Sequence, residues 1–117
     1  MAVKKLQNAY YITGDMDRAV AFYRDTLGLA LTFQDGDKWA QMKAGDVNFS
    51  LSSPDEGAEG ATGAVVIFEV DDIAASRDRI AAGGAEIVDQ RDMGDHGKAL
   101  TFRGPDGNLV QLFQRAG

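Results

Sequence analysis

The stretch Asn8–Leu29, NAYYITGDMDRAVAFYRDTLGL, decides the fold. Asn8 to Thr13 is rich in Tyr, Ile and Thr, residues that suit a pleated, half-buried surface, so the stretch opens as a strand. Gly14 breaks it. Asp15 follows as a helix N-cap, its carboxylate able to accept the free N–H groups of a first helical turn. Met16, Ala19, Val20, Tyr23 and Leu27 then recur at three- and four-residue steps, which predicts a helix over Asp15 to Leu27. Gly28 stands where a left-handed residue closes such a helix.

Working outward, Leu29 to Gln34 and Lys38 to Lys43 read as two strands around Asp35-Gly36-Asp37, because Asp-Gly is a strong hairpin signal. Val47 to Ser52 is a third strand, with Val47, Phe49 and Leu51 alternating. Residues 54–63 are Gly-rich, polar and acidic, the composition of an exposed linker. Then the order begins again. Ala64 to Val70 is a strand, Asp71-Asp72 caps, and Ile73 to Ala82 is a helix with Ile73, Arg77 and Ile80 on one side, stopped by Gly83-Gly84. Ala85 to Gln90, Lys98 to Arg103 and Asn108 to Gln114 follow as strands, with a loop at Met93 to Gly97 and a turn at Gly104-Pro105-Asp106-Gly107.

The chain is therefore β-α-β-β-β twice, an α+β design, with Asp72 about 57 residues after Asp15. It divides into a first module over 5–53, a linker over 54–63 and a second module over 64–115, within one domain. Each half alone has too little core, so the two should share one. Each helix is expected on the outer face of its own curled sheet, against Val47, Phe49 and Leu51 or against Val66, Phe68 and Val70.

Bulk composition narrows the function. The 117 residues are 44% hydrophobic and 26% charged, which is ordinary for a globular protein. Twelve basic against eighteen acidic residues give a net charge of −6, which disfavours nucleic acid as a partner and is compatible with cationic ligands. No apolar run approaches the roughly 20 residues of a membrane span, and MAVKKLQN lacks the apolar core of a signal peptide. The absence of cysteine excludes disulfides, thiolate metal sites and a Cys nucleophile, so a cytoplasmic setting is expected.

GDMDRAVAFYRDTLGL, the strand VVIFEVDD before a helix ending AAGGAEI, and FRGPDGNLVQLF together resemble the vicinal oxygen chelate superfamily of glyoxalase I, bleomycin-resistance proteins, fosfomycin-resistance enzymes and extradiol dioxygenases. One departure is Gly104, where that family usually has Asp before Pro-Asp-Gly. The resemblance implies paired βαβββ modules forming a curled mixed sheet around a cleft, commonly in a homodimer. In the family's metalloenzymes, four inward side chains hold a divalent ion, and the resemblance sets those positions on Asn8, Ser50, Val65 and Gln111. The enzymes place His, Glu or Gln there. Valine offers no donor, and neutral Asn, Ser and Gln do not neutralise a dication, so no metal and no cofactor are expected.

By the two-residue period, Tyr10, Ile12, Ile67, Glu69, Leu109 and Phe113 share the cleft-facing parity. Trp39 reads either as a stacking platform for a planar ligand, with Phe33, Tyr10 and Phe113 nearby, or as a core or interface tryptophan. Glu69 either binds a cationic group or acts as a base, or it pairs with an arginine such as Arg103. His96, the single histidine, reads as a solvated loop residue rather than a general base or ligand.

The expected function is non-catalytic binding of an aromatic or hydrophobic metabolite or antibiotic through Asn8, Tyr10, Phe33, Trp39, Ser50, Val65, Ile67, Glu69, Gln111 and Phe113. The alternatives are a lyase, isomerase or dioxygenase-like enzyme using Glu69, His96 or a displaced metal, and a purely structural dimer. The partners are a small molecule and a second copy of the chain, with no nucleic acid and no membrane.

Overall fold

A computed structural model describes residues 6–57 and 63–117. The chain divides into two compact units, Met1–Gly63 and Ala64–Gly117. Each is an α+β module built in the order β-α-β-β-β.

The first module runs through β1 (Ala9–Ile12), α1 (Met16–Ala21), a π-helical turn (Phe22–Thr26), β2 (Ala30–Asp35), β3 (Trp39–Ala44) and β4 (Val47–Ser52). Its sheet has the order β1-β4-β3-β2, with β1 parallel to β4 and the other pairs antiparallel. Asp15 caps α1 as its sequence implied, its Oδ1 accepting the Arg18 N–H at 3.2 Å.

The helix itself departs from the expected single span of Asp15 to Leu27. After one and a half turns the register widens, and the Leu27 N–H reaches back five residues to the Phe22 carbonyl at 3.1 Å. The wider turn buries the adjacent pair Phe22 and Tyr23 together, which a uniform 3.6-residue helix would splay apart. Gly28, at φ 79°, then reverses the chain.

One sheet face packs on α1. Tyr11, Ala40, Met42, Phe49 and Leu51 are buried there with Met16, Ala19, Val20 and Tyr23. The Tyr23 ring lies 4.9 Å from Phe49 and 6.4 Å from Tyr11, and Tyr11 meets Phe49 edge-on at 5.6 Å. Phe49 and Leu51 face the helix as expected. Val47, at the start of its strand, is 49% exposed instead.

The second module repeats the plan with β5 (Val66–Glu69), α2 (Ile73–Ala82), β6 (Glu86–Asp92), a 3-10 turn (Gly94–His96), β7 (Lys98–Arg103) and β8 (Leu109–Gln114). The sheet order is β5-β8-β7-β6, again with the first and last strands of the module parallel. Asp72 caps α2 in the geometry of Asp15, accepting from Ala75 N–H at 3.2 Å. A second acceptor comes from the sheet: Gln114 Oε1 takes the Ile73 N–H at 2.8 Å. Ile73 and Ile80 meet the buried Leu100, Phe102, Val110 and Leu112. Arg77 lies on the same side, its guanidinium exposed at the rim and hydrogen-bonded to Gln90 of β6, which pairs with the buried Leu100.

A β-bulge recurs at the same place in both modules. The register slips between Leu31 and Phe33 in the first and between Ile87 and Asp89 in the second. Leu31 therefore pairs with the helix-side Met42, while Phe33, two residues on, pairs with Gln41 on the opposite face. Without the bulge both would point the same way.

The stretch read as an exposed linker begins as structure. Glu56 and Gly57 donate backbone N–H groups to the Ser53 carbonyl, closing a turn. Gly57 is partly buried, and a Cβ there would strike Ile12 Cδ1. Residues 58–62 of that linker lie outside the described residues.

Candidate functional site

In each module the sheet face away from the helix carries the residues that the sequence singles out. In the first module, Asn8, Tyr10, Ile12, Phe33, Trp39 and Ser50 all belong to this face. Registration sets them in rows: Phe33, Gln41, Ser50 and Tyr10 pair across four strands, and Trp39, Ser52 and Ile12 form the next row.

Tyr10 and Trp39 are ring neighbours, centroids 5.4 Å apart and planes tilted by 56°. Both are half-buried, so neither is a closed core residue, and Phe33 is 48% exposed beyond them. Gly57 approaches the Tyr10 ring from the side, which puts the Ser53–Gly57 turn against this face. Ser50 is fully buried and donates its hydroxyl to Asn8 Oδ1 at 3.0 Å.

The second module presents Val65, Ile67, Glu69, Leu109, Gln111 and Phe113 on the corresponding face. Ile67 pairs with Gln111 and Glu69 with Phe113. Gln111 Nε2 donates to Thr101 Oγ1 at 3.1 Å. Val65 and Ile67 are 47% and 61% exposed.

Glu69 has a partner, but it is not Arg103. Its Oε1 accepts from Arg115 Nε at 3.0 Å, while Arg103 donates to the Gly107 carbonyl at 3.2 Å. Both members of the Glu69–Arg115 pair are largely exposed, so the pair contributes little to stability. His96 closes the 3-10 turn and is exposed. Away from these faces, the hydrogen bond from Arg24 holds the Asp25 carboxyl below the usual carboxylate range on an open surface.

Residues 5–112 match the model of the Glyoxalase/Bleomycin resistance protein/Dioxygenase superfamily. The chain belongs to that superfamily. An uncharacterised protein of Mycolicibacterium smegmatis is 31% identical over 98 residues, covering 84% of each chain. Among solved structures, this superfamily member is similar to TnmS3, an antibiotic binding protein from Streptomyces sp. CB03234, at 26% identity and TM-score 0.77, over 99% of both chains. It shares its fold with the lactoylglutathione lyase of Agrobacterium tumefaciens, at 23% identity and TM-score 0.79, over 97% of this chain and 96% of that one. It does so too with the fosfomycin resistance protein FosX of Listeria monocytogenes, solved with Mn(II) and 1S,2S-dihydroxypropylphosphonic acid, at 18% identity and TM-score 0.82, over 98% and 93%.

The superfamily's metalloenzymes raise the question of an ion here. A divalent cation needs several converging nitrogen or oxygen donors, with negative charge or imidazole among them. In the first module, Asn8 and Ser50 already spend Oδ1 and the hydroxyl proton on each other. In the second, Val65 has no donor and Gln111 is turned to Thr101. These four residues do not fit a divalent ion. Among the described residues, no three His, Asp or Glu side chains gather in a metal-holding group elsewhere.

One residue of the face escaped the sequence reading. Gln41 sits on β3 between Phe33 and Ser50, two residues from Trp39. The two-residue period counted from Trp39 would have found it.

Proposed function

We propose that this superfamily member binds a planar aromatic or apolar small molecule, a metabolite or an antibiotic, without chemically transforming it. The observation that carries the reading is the first module's open face. There, half-buried Tyr10 and Trp39 and exposed Phe33 surround neutral polar groups, and the positions that would ligate a metal are tied up as Asn8 with Ser50. Such a surface suits stacking and hydrogen bonding better than activation of water or oxygen. The likeness to an antibiotic binding protein at 26% identity supports the same reading. The enzyme alternative gains nothing from Glu69, which is paired with Arg115, or from His96, which is exposed. A cytoplasmic protein conferring antibiotic tolerance by sequestration is the biological form of this reading, and the absence of cysteine agrees with a reducing compartment.

Acridone and riboflavin are suitable planar probes, because their own fluorescence reports binding in any variant. Trp39→Ala removes a large stacking surface, worth on the order of 1 kcal/mol beyond area burial. With the lost apolar contact, affinity for a bound probe should fall roughly ten- to a hundredfold. The reading is overturned if neither probe binds, or if folded Trp39→Ala binds as tightly as the parent.

We further propose a homodimer with isologous contacts. Exposed Val65, Ile67 and Val88 in the second module leave apolar surface for a second copy to cover. Light scattering at micromolar concentration should give about twice the 12.5 kDa chain mass. A single-chain mass under those conditions would exclude the dimer.

A further inference from the structure

We propose that Gln41 is a specificity-determining residue of the binding face, and that the ligand class is an uncharged planar molecule carrying a carbonyl acceptor. This inference rests on the binding reading and sharpens it.

The face is aromatic at its two ends and amide-bearing between them. Phe33 pairs with Gln41, Gln41 with Ser50, and Ser50 with Tyr10, so one row runs ring, amide, hydroxyl, ring. The hydroxyl is consumed, since Ser50 donates to Asn8 Oδ1. Gln41 is half-buried, and its side chain has no hydrogen bond to any described residue. A half-buried amide with unused N–H groups favours an occupant that accepts from it, because a desolvated donor left unpaired costs free energy. Asn8, its Oδ1 committed to Ser50, presents its own amide N–H groups beside the same row.

Charge narrows the class. No acidic or basic side chain stands in the row of Phe33, Gln41, Ser50 and Tyr10. Asp35, opposite Trp39, and Lys43, two residues beyond Gln41, are the charges of the flanking rows and both are exposed, so an ionised ligand centred on this row would lose hydration without a buried counter-charge. A flat, neutral ring system bearing a carbonyl meets both demands: its π-face lies against the aromatic side chains, and its oxygen accepts from Gln41 Nε2.

Acridone and carbazole test this directly. Both are flat tricyclic molecules with one ring N–H, and only acridone has a carbonyl. The parent protein should bind acridone more tightly, by about five- to tenfold for one hydrogen bond. Gln41→Met, which keeps length without a donor, and Gln41→Glu, which keeps polarity without a donor, should each abolish that preference, read as the ratio of the two affinities in the same variant. Thermal melting of both variants confirms that they are folded. If acridone binds in a Trp39-dependent manner and either folded variant retains the preference, or the parent has none, Gln41 does not select the ligand, while the binding reading stands. If neither tricycle binds and riboflavin does, the class stands, since riboflavin is an uncharged flat ring bearing carbonyls, and Gln41 is its selector only if folded Gln41→Met weakens riboflavin binding. If none of the three binds, both fall.

Discussion

The Gly97→Ala protein is expected to melt about 10 °C or more below the parent in a far-UV circular dichroism scan. Gly97 holds φ at 94°, where a side chain is strained, and this alone costs about 1–2 kcal/mol. A Cβ would also overlap the Gln114 carbonyl oxygen and stand 2.9 Å from Phe113 Cε1. The carbonyl is backbone of β8 and cannot swing aside, so a further penalty of about 1–3 kcal/mol is expected from overpacking. Gly94→Ala separates the two effects. Gly94 has φ 61° but nothing within 4 Å of its would-be Cβ, so it should show only the conformational cost. A Gly97→Ala melting point equal to that of Gly94→Ala would mean that β8 yields, and the steric account would fail.

Phe49→Ala should cost about 3–5 kcal/mol, read from the urea midpoint at constant slope. Phe49 is 2% exposed and touches both Tyr11 and Tyr23, so its removal opens a cavity between β1, β4 and the end of the first helix. Set against a typical stability of about 5–15 kcal/mol, such a loss removes a large share of the total. A cost below about 1.5 kcal/mol would show that the surrounding rings collapse into the space.

Much of the architecture was legible because its signals are local. Asp15 and Asp72 stand before apolar stripes and both cap their helices, and the Asp-Gly turn joins β2 and β3. What stayed hidden depends on neighbours that the linear pattern does not name. Phe22-Tyr23 is apolar at both positions, so the sequence cannot separate four-residue from five-residue helical spacing. The bulge at Leu31/Phe33 leaves no Gly or Pro mark, yet it decides that Phe33 lies on the open face. The partner of Glu69 proved to be Arg115, beyond the last strand, because parity favoured Arg103 without fixing where its guanidinium turns. Gln41 is hidden for a different reason: an uncharged amide on a strand between the expected metal-ligand positions carries no charge, ring or motif to mark it.

The hydrogen bond from Ile73 to Gln114 joins residues 41 positions apart and has a consequence for synthesis. As the polypeptide grows, the first N–H of α2 waits for an acceptor translated 41 residues later. β5 waits equally long for β8, its parallel neighbour. The first module meets no such delay, since Ala9 to Ser52 supplies all four of its strands early. The order of synthesis is therefore vectorial: all strands of the amino-terminal module are translated before α2, whereas the sheet of the later module cannot close until β8 has emerged. A nonsense codon at Leu109 would strip the start of α2 of its sheet acceptor and remove the interior strand that joins β5 to β7.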